Sequence, residues 1–259
     1  MCFLFLLDKP KGITSRQACE IVKKRLNAKK AGHSGTLDAN ATGLLLIAID
    51  ESVKAMPLFE RMDKVYEGVM HLHKDVGLED VEREVKKFVG KIIQKPPVRS
   101  RVKRVERERF VYYFNILEKT NRDVKFVTKV EAGTYIRKLV DDIGKGIGGA
   151  HLKDLRRIGI GRFEIKDAKK IDEVDKKYLI RLEDALSNAK KVHLKPEFVQ
   201  KVLNGSPIRN TWILKKEGEM NLGDKIGIFA NNRIIGVGVV KSVNFLQIKT
   251  DRIIKCQNF

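Results

Sequence analysis

Apolar and polar residues change their spacing along this chain in a way that marks out its elements. Met1 to Leu7 is a short apolar run that reads as a first strand, and Asp8-Lys9-Pro10-Lys11-Gly12 follows as a turn. Thr14-Ser15-Arg16-Gln17 has the form of a capping box, so a helix should start there, with Ala18, Ile21, Val22 and Leu26 as its buried stripe and Lys23, Lys24 and Arg25 outside. Leu44 to Ile49 is apolar without interruption, as expected of a strand covered on both faces. Lys64 to His73 instead alternates, with Tyr66, Gly68, Met70 and Leu72 on one side of a strand. Leu78 to Val89 returns to helical spacing, and Arg109 to Leu117 with Asp123 to Glu131 reads as a hairpin turning near Thr120-Asn121-Arg122. Thr134 is placed as the N-cap of a helix that buries Ile136, Leu139, Val140 and Ile143 and stops at Gly144.

From Gly144 to Gly161 glycines break the pattern around Leu155-Arg156-Arg157, and Asp167 to Ser187 is mostly charged apart from a short helix over Leu179 to Leu186. A domain boundary is expected near Ser187. Beyond Lys190 the chain turns to short strands: a helix over His193 to Val202 ending at Asn204-Gly205, turns at Gly223-Asp224-Lys225 and Asn231-Asn232, and an alternating run from Arg233 to Lys241. The expected class is α+β. A large, mostly antiparallel sheet with flanking helices over residues 1–187 precedes a small β-barrel over residues 188–259.

Composition narrows the partners. The 53 Lys and Arg against 33 Asp and Glu leave a net charge of +20, and the basic residues are spread along the chain rather than gathered in a tail. A thermophile's charge-rich exterior explains many charges of both signs but not this imbalance, and no amphipathic anchor suggests a membrane surface. A folded surface facing nucleic acid fits best. Gln94 to Arg104 contains Pro96 and Pro97 and the cations Lys95, Arg99, Arg101, Lys103 and Arg104; it reads as a solvated loop or as a phosphate-contacting arm. The seven apolar residues at the start make neither a signal peptide nor a membrane span. Cys2, Cys19 and Cys256 are far apart in sequence and form no C-x-x-C pair, so no disulfide framework and no zinc site is expected, and the chain reads as cytoplasmic. His71 and His73 share a strand face, but no further metal ligand stands near them in sequence.

One segment asks for chemistry. Gly32-His33-Ser34-Gly35-Thr36-Leu37-Asp38-Ala39-Asn40-Ala41-Thr42-Gly43 sets Asp38 in a glycine-punctuated loop beside the buried strand. An Asp in a turn can satisfy its own backbone, yet an acid beside a core strand is costly unless it serves a purpose. Arg137, in the first turn of a helix where the macrodipole disfavours a cation, would be relieved by an anion, for which Asp38 is the candidate; the alternative is that Arg137 extends to solvent.

Ala31 to Asp38 closely resembles the active-site motif of TruB-type pseudouridine synthases. Asp8-Lys9-Pro10-Lys11-Gly12-Ile13-Thr14-Ser15, Lys64-Val65-Tyr66 and Glu131-Ala132-Gly133-Thr134-Tyr135-Ile136-Arg137 resemble further motifs of that family in the same order, and the C-terminal segment with Asn204-Gly205 and Gly223-Asp224 is similar to its PUA module. Met70 to His73 and the basic Gln94 to Arg104 segment, with Val111-Tyr112-Tyr113, resemble the archaeal and eukaryotic branch related to dyskerin, the catalytic subunit of the H/ACA guide-RNA particle. Ala41-Thr42-Gly43 is closer to the bacterial stand-alone form, Ile158 to Gly161 stands where Arg-Ser-Gly is usual, and the chain begins almost at the first motif, without an N-terminal extension.

The resemblance implies isomerisation of uridine to pseudouridine in RNA, without metal or cofactor. Asp38 would be the nucleophile, at uracil C6 or ribose C1′. Arg137 would pair with it, Tyr66 would stack on the flipped base, Tyr135 would orient or move a proton, and Leu155 would form an apolar wall. His33 would help occupy the vacated space or hold the extruded conformation, Lys9 and Arg156 would contact RNA backbone, and Gly205 would lie in the RNA-binding module. Without the resemblance, Tyr66 and Leu155 read first as ordinary core residues. The implied partners are H/ACA guide RNA, an rRNA or tRNA substrate and small protein subunits of the particle, with neither DNA nor membrane. Guide-free modification of tRNA and a non-catalytic RNA scaffold are the alternatives.

Overall fold

A computed structural model describes residues 2–96 and 105–256. Most of the basic arm, from Pro97 to Arg104, lies outside the described residues. The strands of the first sheet are β1 (Phe3–Lys9), β2 (Ala31–Ser34), β3 (Thr42–Ile49), β4 (Lys64–Leu72), β5 (Gly90–Gln94), β6 (Arg107–Thr120), β7 (Asp123–Val130), β8 (Ala150–Ile160), β9 (Phe163–Glu164) and β10 (Ile180–Arg181). The helices are α1 (Ser15–Arg25), α2 (Pro57–Glu60), α3 (Leu78–Lys86), α4 (Ile136–Lys145), α5 (Leu182–Ala185) and α6 (Val199–Leu203). The second sheet comprises β11 (Lys191–Leu194), β12 (Ile208–Arg209), β13 (Ile213–Glu217), β14 (Lys225–Ala230), β15 (Arg233–Ser242) and β16 (Gln247–Ile253).

The first sheet runs β10-β1-β3-β8-β4-β7-β6-β5, with β2 added to β3 and β9 to β8. Its neighbours are antiparallel except at the centre, where β3 lies parallel to β8 with Thr42 opposite Arg156 and Gly43 opposite Arg157. The unbroken apolar run of β3 is explained by cover on both faces. Leu44, Leu46 and Ala48 join one core with Leu4 and Leu6, while Leu45 and Ile47 pack with Phe5, Leu7 and the α1 residues Ala18, Cys19 and Val22 on the other. The alternation of β4 puts Tyr66, Met70 and Leu72 into a third core beneath α3 and α4. The expected capping box is present, Thr14 accepting from the Gln17 amide while Gln17 accepts from the Thr14 amide.

Several sequence expectations are corrected. Within the glycine-rich Gly144 to Gly161 segment, Ala150–Ile160 is an eleven-residue strand at the centre of the sheet, its alternation broken by the buried, charged Arg157 and by two register shifts against β4. Helix α4 has Tyr135, not Thr134, at its N-cap and continues past Gly144, which is required inside it because a Cβ there would stand 2.3 Å from the Ala150 amide nitrogen. His193 lies in β11 rather than in a helix, and the helix near the second sheet is only Val199–Leu203. The helix expected over Leu179 to Leu186 shortens to Leu182–Ala185.

The second sheet, ordered β12-β16-β15-β14-β11-β13, encloses its own core around Val192, Ile226, Ile228, Val240 and Ile248. Asn231 and Asn232, both at positive φ, make the β14–β15 turn. Phe229, Ile234, Val237 and Ile254 are buried together with Leu4, Leu6, Leu44 and Leu46, so one core spans both sheets. Cys2 and Cys256 meet at this junction in a disulfide, against the expectation of none: residues 254 apart in sequence are brought together because the start of β1 and the segment after β16 cover the same core. Among the described residues no helix is long and apolar enough to cross a membrane.

Candidate active site

The loop between β2 and β3 is pinned from three sides. The buried Ser15 hydroxyl donates to the Leu37 carbonyl at 3.0 Å and accepts from the Leu37 amide at 2.8 Å, tying the loop to the start of α1. The Gly12 amide donates to the Ala39 carbonyl at 2.8 Å, and the Ala41 amide donates to that of Asp38 at 3.1 Å. Leu37 and Ala41 sink into the same core as Tyr66 and Ile136. Asp38, between them, is thereby held at the surface: its side chain is 64% exposed and receives Arg137 Nη2 on Oδ2 at 2.7 Å. The pairing expected from the helix dipole is thus present, between an exposed carboxylate rather than a buried one and the second residue of α4.

Below the loop lies a buried cation that sequence reasoning left unassigned. Arg157 is almost wholly enclosed; its Nε donates to the Leu44 carbonyl at 2.8 Å and its Nη2 to the Gly35 carbonyl at 3.0 Å. Burial first, then the Arg157 charge, holds the His33 imidazole below its ordinary pKa, and the His33 Nδ1 is buried without a hydrogen-bond partner. Burial and then Arg157 also push the Lys64 ammonium down to about 8, although Nζ donates to the carbonyls of Glu60 and Met62. The burial of Arg157 and Lys64 carried no distinguishing signal in sequence, since a cation enclosed by main-chain carbonyls looks like any surface cation until the chain is folded.

Lys9 corrects an expectation. It is fully buried, with Nζ donating to the carbonyls of Pro10 at 2.8 Å, Ile13 at 2.7 Å and Ala39 at 3.4 Å, so it braces the loop and is not available to RNA. Arg156, inside β8, is half-exposed and forms a two-pronged pair with Asp8 near the end of β1, at 3.0 and 2.7 Å. Tyr66 is buried in the third core, and Leu155 packs against that core from a partly buried position. Leu155 and Arg156 also line a cavity of about 320 Å³ with Asn40, Thr42, Glu67 and Asp154, at the parallel junction of β3 and β8. Tyr135 is half-buried at the α4 N-cap, where Gln94, another residue the sequence did not single out, bonds its backbone. Gly205, at φ +90°, lies in the turn between α6 and β12 and does not join the Asp38 cluster. His71 Nδ1 meets Asp123 at 2.6 Å and His73 Nε2 meets His151 at 3.0 Å, but no group of three ligands fit for a metal occurs among the described residues.

The chain is similar to known proteins over nearly its whole length. Residues 23–136 match the N-terminal domain of the TruB family of pseudouridylate synthases. The probable tRNA pseudouridine synthase B of Methanopyrus kandleri is 36% identical over 95% of this chain and 78% of its own length. That of Methanocaldococcus jannaschii is 37% identical over 85% and 70%. A crystal structure of a Cbf5-Nop10-Gar1 complex superposes with a TM-score of 0.89 at 32% identity, covering 98% of this chain and 85% of the other. An H/ACA RNP bound to a substrate RNA containing 2′-deoxyuridine gives 0.84 at 30% identity, covering 98% and 85%. A central α+β sheet, an Asp-Arg pair on its rim and this degree of identity over nearly the whole chain lead to one assignment: the chain belongs to the TruB family and is an RNA pseudouridine synthase of the TruB and Cbf5 type.

Proposed function

We propose that the chain isomerises specific uridines in RNA under the direction of an H/ACA-type guide RNA, working with small protein subunits. The observation that carries the catalytic part is the 2.7 Å Arg137–Asp38 pair, held on a braced loop whose Asn40 lines the cavity. Asp38 is the nucleophile, attacking uracil C6 or ribose C1′, and Arg137 pairs with it and orients it. In the isomerisation the N1–C1′ bond breaks, a C5–C1′ bond forms, the C5 proton is released and N1 takes up a proton. The reaction is redox-neutral and draws on no metal or cofactor.

A uracil must leave its stack to reach Asp38, which requires a surface that replaces the stacking and a cationic wall along the backbone. Tyr66 presents the edge of the core to the base, Tyr135 stands beside the ion pair as an orienting or proton-transferring group, and Leu155 supplies the apolar wall. His33 holds the extruded conformation, and Arg156, neutralised in part by Asp8, approaches the phosphates from the cavity rim. Residues 1–187 form the catalytic domain. Residues 188–259 form a PUA barrel that grips the guide's lower stem and ACA end, with Gly205 on its RNA face.

Guide dependence is favoured by the likeness to Cbf5 in assembled particles. The second reading, guide-free modification of tRNA, is favoured by the relatives described as probable tRNA pseudouridine synthases B. Pseudouridine mapping of total RNA incubated with the purified protein, with and without guide RNA and partner subunits, separates them. Modification of rRNA only with guide present supports the guided enzyme, and guide-free signal confined to tRNA supports the second reading. Asp38→Asn is expected to abolish turnover and retain RNA binding; modification that survives Asp38→Asn sinks the assignment of the nucleophile.

A further inference from the structure

The Arg137–Asp38 pair is exposed on both sides, 60% and 64%. An exposed ion pair holds little orientation by itself, since two mobile side chains in water gain little from meeting. Its geometry must therefore come from the backbone beneath it. On the Asp38 side the anchor is Ser15, which takes both the N–H and the C=O of Leu37. The Arg137 side has a matching device: the Gln94 side chain, buried at the end of β5, accepts from the Tyr135 amide at 3.0 Å through Oε1 and donates to the Tyr135 carbonyl at 3.3 Å through Nε2. Tyr135 is the N-cap of α4 and makes no side-chain cap of its own, so an amide from another strand holds the backbone from which the helix starts. Arg137 follows two residues later.

We propose that Gln94 is a positioning residue for the reaction: by clamping both the N–H and the C=O of Tyr135 it fixes the start of α4, and with it the direction in which Arg137 presents its guanidinium to Asp38. The inference rests on the catalytic reading of that pair. Both hydrogen bonds of the Gln94 side chain go to the Tyr135 backbone and Gln94 is not among the residues lining the cavity, so the clamp is read first in the rate of the chemical step.

The test is single-turnover kinetics on guide-assembled enzyme, with RNA affinity and thermal melting measured alongside. Gln94→Leu, which removes both hydrogen bonds, is expected to lower the single-turnover rate about tenfold to a hundredfold while RNA affinity stays within about twofold. In an Arg137→Ala background the same substitution is expected to change the rate no further, because the group it positions is gone. Gln94→Glu adds a readout that a merely structural residue would not move. Its carboxylate still accepts from the Tyr135 amide but repels the carbonyl, and burial raises its pKa, so protonation restores the missing donor. Its rate relative to wild type should rise as pH falls.

A Gln94→Leu rate equal to wild type, additive effects with Arg137→Ala, or a Gln94→Glu pH profile parallel to wild type overturns the proposal; if Gln94→Leu fails to fold, the Gln94→Glu profile decides. Asp38→Asn in the same assay distinguishes the two levels. Turnover that persists without the Asp38 carboxylate removes the catalytic reading and this inference together, whereas Asp38-dependent turnover indifferent to Gln94 removes only the clamp.

Discussion

Reducing the Cys2–Cys256 disulfide should lower stability by an amount that the topology sets. The link closes nearly the whole chain, a separation of 254 residues, so by loop-closure entropy it restricts the unfolded ensemble by about 5 kcal/mol at 25 °C. For a protein of this size that corresponds to a fall in Tm of about 10 °C or more. The native state should change little, because Leu4, Leu6, Phe229, Ile234 and Ile254 bury the junction between the sheets whether or not the sulfurs are joined. The third thiol does not interfere: burial, then Glu20, push Cys19 up to about 12, leaving it almost wholly protonated and unreactive in exchange. The assay is thermal unfolding of oxidised protein, its disulfide verified by non-reducing peptide mass spectrometry, against reduced protein and Cys256→Ser. Reduction should bring the wild type close to Cys256→Ser and leave that variant unaffected. Verified oxidised protein that melts at the reduced temperature refutes the reasoning.

Two further perturbations probe the ground beneath the site. Gly43→Ala would place a Cβ 2.2 Å from the Arg157 carbonyl oxygen at a φ of +103°, where β3 meets β8. Strain and overpacking together should cost about 3 kcal/mol, read as a lower urea midpoint at unchanged slope; a wild-type midpoint counts against the close approach. Lys64, held to about 8, stays deprotonated in the folded protein at pH values where the unfolded chain, with its ordinary 10.5, still binds the proton. Its charged form is thus penalised fully below pH 8, and the penalty fades as pH rises from about 8 to about 10.5. Between about pH 7 and about pH 10 the unfolding free energy of wild type should therefore gain about 2 kcal/mol relative to Lys64→Met, a comparison that cancels the titration of the other lysines. A pH-independent difference between the two proteins contradicts the buried ammonium.

Local spacing alone fixed the capping box at Thr14, the doubly covered strand after Asp38, the alternation of β4, the hairpin at Asn121 and the register in which α4 buries Ile136, Leu139 and Val140, because each follows from a period of two or 3.6 residues or from a terminal hydrogen bond made within four residues. The choice of Asp38 and Arg137 as a pair was also legible, since a cation in a first helical turn calls for an anion and the chain offered one in a glycine loop. Everything that depends on long-range closure waited for the fold. The central strand Ala150–Ile160 was hidden by the charged Arg157 on its buried side and by its register shifts against β4, and Lys9 read as an RNA contact until three carbonyls were seen around its ammonium. Arg157, Gln94 and the Cys2–Cys256 link have no periodic signature at all. Their partners lie 113, 41 and 254 residues away, and only the tertiary structure brings them within bonding distance, where loss of water makes each contact specific.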